Sequence, residues 1–230
     1  MDEDTRFHIT PYLRRQMNDH PPRLAFSATS REEWRVWQHE LRTKLRELLA
    51  PWPQSTDLAP EIVQVSDEGD HRREEIVLSS HTNMEMPCFL LRPKDDGYPR
   101  PAILALHGHG NGKSEIVGLV ESETNLSCSL GEYRGHGVEL DELCGAQVVP
   151  GIFQWAEMGD VAGLLAPRPL FAENARHDEC FPWPYTEPTL ERLREVYRVA
   201  GAEEHLVIYT YDGTHHDYGD GVVEFWHRYL

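Results

Sequence analysis

Residues 168–211, RPLFAENARHDECFPWPYTEPTLERLREVYRVAGAEEHLVIYTY, decide the fold of this chain. Two short apolar segments in it, Arg168–Asn174 and His205–Tyr211, are typical of buried strands. Between them, Glu187–Ala200 repeats apolar residues at helical spacing, and Gly201 follows as a stop signal. A strand, a helix and a second strand in this order predict two parallel strands joined by a crossover helix, the unit of a layered α/β sheet.

Upstream of this unit the sequence predicts further strands. Three segments separated by polar turns indicate an antiparallel lead-in: Ile62–Val65, Glu74–Ser79 and Pro87–Leu91. Pro101–Leu106, PAILAL, is a continuous apolar run of the kind found in a strand buried on both faces. It enters the glycine-rich segment His107–Gly112, where the backbone can turn sharply and expose N–H groups. A helix is expected from Ser114.

The sequence predicts a helix over Arg31–Leu49. Ser30 and Glu33 form a capping box at its start, and Pro51 ends it. Its apolar stripe indicates core packing in preference to partner docking and consists of Trp34, Trp37, Leu41, Leu45, Leu48 and Leu49. We therefore expect residues 1–60 to form a helical extension packed on a main domain of residues 61–230.

Charge and composition exclude several classes of function. With 22 Lys+Arg against 39 Asp+Glu the net charge is −17, which repels nucleic acid and anionic membrane surfaces. No apolar run approaches the ~20 residues that span a bilayer, and the first residues lack the pattern of a signal peptide. We expect a soluble, cytoplasmic protein with no nucleic-acid or membrane partner. The four cysteines occur singly, which argues against a zinc ribbon or a disulfide scaffold.

Several motifs resemble the α/β-hydrolase superfamily, and within it the dienelactone-hydrolase-like and acetylxylan-esterase-like branch. They are PAILAL running into HGHG, CGAQVVPG at 144–151, EMGDVAGLLAPRPL at 157–170, ENARHDECFP at 173–182 and YDGTHHDYG at 211–219. The resemblance covers about residues 74–230. It implies a mostly parallel sheet flanked by helices, and a serine-hydrolase-type carboxylic ester hydrolase that acts on small or sugar-borne esters without a cofactor.

The resemblance also implies which residues act. It implies that Asp178 is the acid and His215 is the base. It also implies that the backbone of Gly108, His109 and Gly110 forms the oxyanion loop. The chemistry agrees, because a serine hydroxyl needs an imidazole to take its proton, and the imidazole needs a carboxylate to orient it. Both residues follow strands that are predicted to be parallel, at the sheet edge where such folds place their sites. His216 is the rival base, and the non-catalytic interpretation makes Asp178 a helix-capping carboxylate.

The nucleophile departs from the family pattern, because no G-x-S-x-G pentad occurs. The nearest match is Ser127-Cys128-Ser129-Leu130-Gly131, which preserves the order Ser129, Asp178, His215. Our preferred interpretation makes Ser129 structural and a weak nucleophile candidate. Asn111–Leu126 contains 16 residues, whereas the hydrolase plan needs two strand–helix units there, at ~30 residues each. The segment that carries the nucleophile elbow is therefore missing from the pattern.

This shortening leads to a prediction about the sheet. Both neighbours of the PAILAL strand would be lost, and buried unpaired backbone groups are costly. We therefore expect Ala102–Leu106 to pair with the Glu74–Leu91 hairpin on one side and with Leu126–Leu130 on the other, which gives a narrowed sheet.

Two alternatives to an ester hydrolase remain at this point. The first is a non-catalytic remnant that keeps the fold as a binding or interaction module. The second is a metal-assisted hydrolase built from loop histidines: His107, His109, His136, His177, His215 and His216. Because no HxHxD pattern accompanies these histidines, we expect no metal. The expected partner is a small-molecule ester substrate.

Overall fold

The computed structural model describes residues 8–49, 51, 54–95, 99–108, 110–120, 130–135, 149–215 and 219–230. The chain forms two compact units. One consists of Met1–Ala50 with Ser127–Leu230, and the other of Pro51–Leu126. Within the described residues, no helix is both long and apolar enough to cross a bilayer.

The Pro51–Leu126 unit contains a three-stranded antiparallel sheet in the order β1-β2-β3. Its strands are β1 (Glu61–Asp67), β2 (His71–His81) and β3 (Met84–Pro93), followed by a single-turn helix, α3 (Lys113–Ile116). β2 pairs along nearly its whole length with β3, from His71 opposite Pro93 to His81 opposite Met84. The predicted antiparallel lead-in is therefore confirmed.

The PAILAL segment is not a strand, so that prediction is wrong. Residues 101–108 have no regular secondary structure, and Ile103, Leu104 and Leu106 are 55, 84 and 80% exposed. The predicted pairing with the Glu74–Leu91 hairpin does not form, because the sheet order contains β1, β2 and β3 alone. Its other predicted partner, Leu126–Leu130, lies outside the described residues except for Leu130. An apolar run can be a buried strand only if neighbouring strands pair with its backbone, and otherwise its N–H and C=O groups stay in water.

The other unit carries helices around two parallel strands. Its helices are α1 (Thr10–Asp19), α2 (Arg31–Leu49), α4 (Met158–Gly163), α5 (Trp183–Ala200) and α6 (Val222–Tyr229), with short 3-10 turns at Ile152–Gln154 and Glu203–His205. Strands β4 (Leu170–Ala175) and β5 (Leu206–Tyr211) pair in parallel. The predicted strand–helix–strand unit is confirmed. Gly201 ends α5 in the left-handed conformation, with φ 68°.

Helix α2 has the predicted capping box and most of the predicted buried stripe. The Ser30 backbone N–H donates to the Glu33 carboxylate at 3.2 Å, and the Glu33 N–H donates to the Ser30 hydroxyl at 3.2 Å. The stripe packs inward at Trp34, Trp37, Leu41, Leu45 and Leu48. Leu49 is 42% exposed, which contradicts its predicted place in the stripe. It lies about 80° around the helix axis from Leu41, beyond the inward face.

Two carboxylates in the first turn of α4, the partly buried Glu157 at the N-cap and the buried Asp160, connect distant parts of this unit. Asp160 accepts hydrogen bonds from the N–H groups of Phe26, at 2.9 Å, and Glu157, at 3.0 Å. Glu157 accepts one from the Tyr133 N–H at 2.7 Å. Burial raises the pKa of Glu157 from 4.5 to about 7, more than the Tyr133 hydrogen bond lowers it. The folded protein therefore favours the protonated form of this side chain.

The partly buried Glu157 makes the free energy of unfolding depend on pH. Because its pKa is higher in the folded state, its favourable contribution is complete below pH 4.5 and is lost as the pH rises towards 7. The shift corresponds to a loss on the order of 3 kcal/mol over this window. We expect Glu157→Gln to flatten the pH dependence of the unfolding free energy measured in urea, with the exposed Glu191→Gln as control. Equal slopes for both variants would contradict this.

The exposed PAILAL segment has a second measurable consequence. We expect the amides of Leu104 and Ala105 to exchange with deuterium at nearly unprotected rates, since residues 101–108 are outside every strand. Ile76 is the internal control, because it is paired with Ile62 on one side and Cys88 on the other. Mass spectrometry or NMR would resolve both regions. Slow exchange at Leu104 would show that the narrowed sheet forms after all.

Candidate active site

The pairing of β4 and β5 continues past the ends of both strands. The N–H of Arg176 donates to the Tyr211 carbonyl at 3.0 Å, and the N–H of His177 donates to the Gly213 carbonyl at 2.9 Å. These bonds extend the parallel ladder, which ends with Ala175 opposite Tyr211, into the two loops. The loops therefore leave the sheet side by side at one edge.

Asp178 and His215 meet at this edge. The two residues are joined by a hydrogen bond of 2.8 Å between His215 Nδ1 and Asp178 Oδ2. Their side chains are 1 and 14% exposed, so the bond lies in a largely dry environment where it is strong. The predicted position of both residues at one sheet edge is confirmed, and their catalytic roles stay a prediction.

The Asp178 carboxylate is held by its own turn as well as by the imidazole. Its other oxygen, Oδ1, accepts from the backbone N–H groups of Cys180 and Phe181, both at 2.8 Å. The Phe181 ring stacks on the His215 imidazole, with centroids 5.7 Å apart and planes 18° apart. One carboxylate oxygen thus closes the turn at Cys180 and Phe181, while the other orients the histidine. Asp178 does not cap helix α5, whose N-cap is Pro182 without a side-chain cap hydrogen bond, so the predicted helix-capping role is wrong.

Hydrogen bonds hold the loop that carries His215 both before and after this residue. Before it, the Tyr211 hydroxyl donates to the Thr214 carbonyl at 3.2 Å. A Cβ on Gly213 would lie 2.6 Å from the Tyr211 ring, so no larger residue fits there without displacing it. Beyond the loop, the Gly219 N–H donates to Glu173 on β4 at 3.0 Å. His216, the rival base, lies outside the described residues.

This geometry sets the histidine up as a base. In a neutral imidazole one ring nitrogen carries the hydrogen and the other has the lone pair. Because Nδ1 of His215 faces a carboxylate oxygen at 2.8 Å, we assign the hydrogen to Nδ1. Nε2 then has the lone pair that can accept a proton from a hydroxyl group, the role required of the base in acyl transfer.

Cys180 belongs to this site, although sequence reasoning missed it. The thiol and the ligand atoms of Asp178 and His215 all lie within 4.8 Å of one another. Cys180 is exposed, while Asp178 is buried. The sequence feature that could have indicated Cys180 is the D-x-C spacing of Asp178 and Cys180. An aspartate that accepts a hydrogen bond from the N–H two residues later closes a tight turn, which brings that residue back beside the aspartate.

Four other residues were predicted to belong to the site: Ser129 as the nucleophile candidate, and Gly108, His109 and Gly110 as the oxyanion loop. Ser129 and His109 lie outside the described residues. Gly108 and Gly110 belong to the Pro51–Leu126 unit. Gly110 has φ +138°, and a Cβ there would lie 2.1 Å from the Glu115 carboxylate. Their oxyanion role stays a prediction.

Glu115 limits which backbone donors that loop can offer. Its carboxylate accepts the N–H of Asn111 at 2.7 Å. That N–H is therefore already engaged at the end of the glycine-rich segment.

The loop histidines do not assemble into the metal site considered above, as far as the described residues show. His177 pairs with Asp212 at 2.7 Å on the surface, with side chains 69 and 82% exposed. His107 Nδ1 lies 2.8 Å from the Gly108 carbonyl oxygen. His136 falls outside the described residues, with His109 and His216.

The hydrogen-bond geometry predicts a particular tautomer of His215. We expect the neutral ring to carry its hydrogen on Nδ1, because the Asp178 carboxylate accepts from that nitrogen. The ring ¹⁵N shifts of His215 in a histidine-labelled sample would show this directly. Asp178→Asn should shift the population towards the Nε2–H tautomer, whereas an unchanged tautomer in that variant would contradict the assignment.

Comparisons with known proteins give two findings. The model of a family described as "Abhydrolase family" matches residues 2–137. A protein from Bacteroides fragilis, named a candidate acetyl xylan esterase, has a crystal structure similar to this chain. The two chains are 13% identical, the TM-score is 0.64, and the match covers 89% of this chain and 82% of that one. A search of curated proteins finds no match. The chain therefore has an α/β-hydrolase-like fold.

Proposed function

Because the chain belongs to the Abhydrolase family, we propose that it is a carboxylic ester hydrolase in which Asp178 and His215 form the acid–base pair. The expected substrates are small or sugar-borne esters. The structurally similar protein from Bacteroides fragilis, named a candidate acetyl xylan esterase, supports this substrate class.

The hydrogen bond between Asp178 and His215 is the observation that carries the proposal. It joins a buried carboxylate to an imidazole at the carboxyl ends of two parallel strands, where α/β folds place their sites. The support is independent of the family match, since the matched residues end at 137 and both side chains lie beyond it. Sequence family and local geometry thus support the same chemistry from different parts of the chain.

The pair would act on a hydroxyl group that approaches His215 Nε2. The imidazole takes the hydroxyl proton as the oxygen attacks the ester carbonyl carbon, and Asp178 stabilises the resulting imidazolium. The proton then passes to the departing alcohol oxygen as the tetrahedral intermediate collapses. Ser129 is the candidate for the attacking hydroxyl in this scheme. Hydrolysis of its acyl ester by water returns the serine.

The test is turnover of a chromogenic short-chain acyl ester by purified protein. We expect His215→Ala to lower kcat/KM by ~10²–10⁴-fold, the usual contribution of a general base. Asp178→Asn should lower it as well, because the imidazole loses its orienting carboxylate. Ser129→Ala should abolish burst-phase acylation if Ser129 is the nucleophile.

The matched control is His177→Ala. It removes the other histidine–aspartate pair of the same two loops, which is exposed, and preserves the main-chain N–H that holds Gly213. We expect its turnover to equal that of the wild type. Equal loss in His177→Ala and His215→Ala, or turnover unchanged in both, would overturn the assignment. Binding of the ester without any turnover would favour the binding-module alternative.

A further inference from the structure

We propose that Asp178, Cys180 and His215 bind a divalent transition-metal ion such as Zn²⁺, and that this ion switches the hydrolase off. The binding site stands on the geometry of the three side chains alone. The inhibition rests on the proposed function, because it requires that His215 be the base.

The three side chains supply the donor set that zinc prefers. A carboxylate oxygen, the Cys180 sulfur and an imidazole nitrogen lie within 4.8 Å of one another, so small side-chain movements bring them to bonding distance of one ion. It is the one such group of three among the described residues. Three protein ligands leave a fourth tetrahedral position for water.

The surroundings of the cluster suit an ion that arrives from solvent. Cys180 is exposed, His215 is partly buried and Asp178 is buried, so an ion from solvent can reach the cluster from the side of Cys180. The Asp178 carboxylate is already oriented through Oδ1 by the N–H groups of Cys180 and Phe181, as outer-shell partners orient ligands in metal sites. The net charge of −17 also favours cations near the protein.

The ion and the acid–base pair exclude each other. Asp178 Oδ2 and His215 Nδ1 are 2.8 Å apart with one hydrogen between them. An ion held by both atoms and by the Cys180 sulfur must replace that hydrogen. The imidazole keeps a single proton, which moves from Nδ1 to Nε2, and the thiol proton goes to solvent as the sulfur–metal bond forms. With Nε2 protonated, His215 can no longer accept a proton from a hydroxyl group.

Cobalt(II) is the probe, because it takes the place of zinc and its bond to a thiolate gives a charge-transfer band in the near ultraviolet. We expect the wild-type protein to develop this band saturably and to lose it when zinc is added. Cys180→Ser should abolish the band, and His215→Ala should weaken cobalt binding more than ~10-fold. The matched control is Cys88→Ser, which removes a cysteine of the other unit and should leave the band intact.

Ester turnover gives the second readout, with each variant compared with its own zinc-free rate. We expect zinc to inhibit the wild type, a chelator to reverse the inhibition, and Cys180→Ser to raise the inhibitory zinc concentration more than ~10-fold. No cobalt band, or a band that survives Cys180→Ser, overturns the site. A Cys180-dependent band with turnover that zinc does not affect overturns the inhibition. A Cys180-dependent band in a protein without turnover supports the site and overturns the proposed function instead.

Discussion

The parallel pairing of β4 with β5 is the constraint on which the candidate site depends. Its backbone hydrogen bonds run past the last paired residues and end at the His177 N–H and the Gly213 carbonyl. Asp178 therefore directly follows His177, the last bonded residue after β4, and His215 lies two residues after Gly213, the last bonded residue after β5. The side chains meet because main-chain bonds align the loops, and the Asp178 turn then fixes the carboxylate.

The same dependence explains which predictions from sequence succeed. The strand–helix–strand unit was predictable because the apolar residues at helical spacing in α5, such as Leu190, Leu193 and Val196, are buried in the structure, so the local pattern and the final environment agree. The prediction of a buried strand at PAILAL was wrong because an apolar run indicates a tendency to be buried, but not whether neighbouring strands are present to pair with it. Helix α5 begins at Trp183, four residues before the predicted Glu187. Prolines fit the first turn of a helix, although in a sequence they indicate a break.

A raised pKa alone does not identify the site. Glu157 has a pKa raised to about 7, the kind of shift that often marks catalysis. Its carboxylate, however, accepts the Tyr133 N–H, and Asp160 beside it accepts the Phe26 N–H. These bonds hold segments that are distant in sequence, which is a structural role. Asp178 differs because one of its oxygens orients an imidazole whose second nitrogen can take part in chemistry.

The contacts that hold Asp178 and His215 together are local, so the pair does not require the segment that would carry the nucleophile. Among the described residues, the hydrogen bonds and the ring contact given above for Asp178, His215 and their two loops join residues between 173 and 219. None of these contacts involves Asn111–Leu126, the segment that is predicted from the sequence to lack the nucleophile elbow. The hydrogen-bonded pair of Asp178 and His215 can therefore form whether or not an elbow presents a serine to it. Under the two proposals made above, a hydroxyl group that reaches Nε2 of His215 would make this edge of the sheet a catalyst, and a metal ion that reaches Nδ1 would make it a binding site.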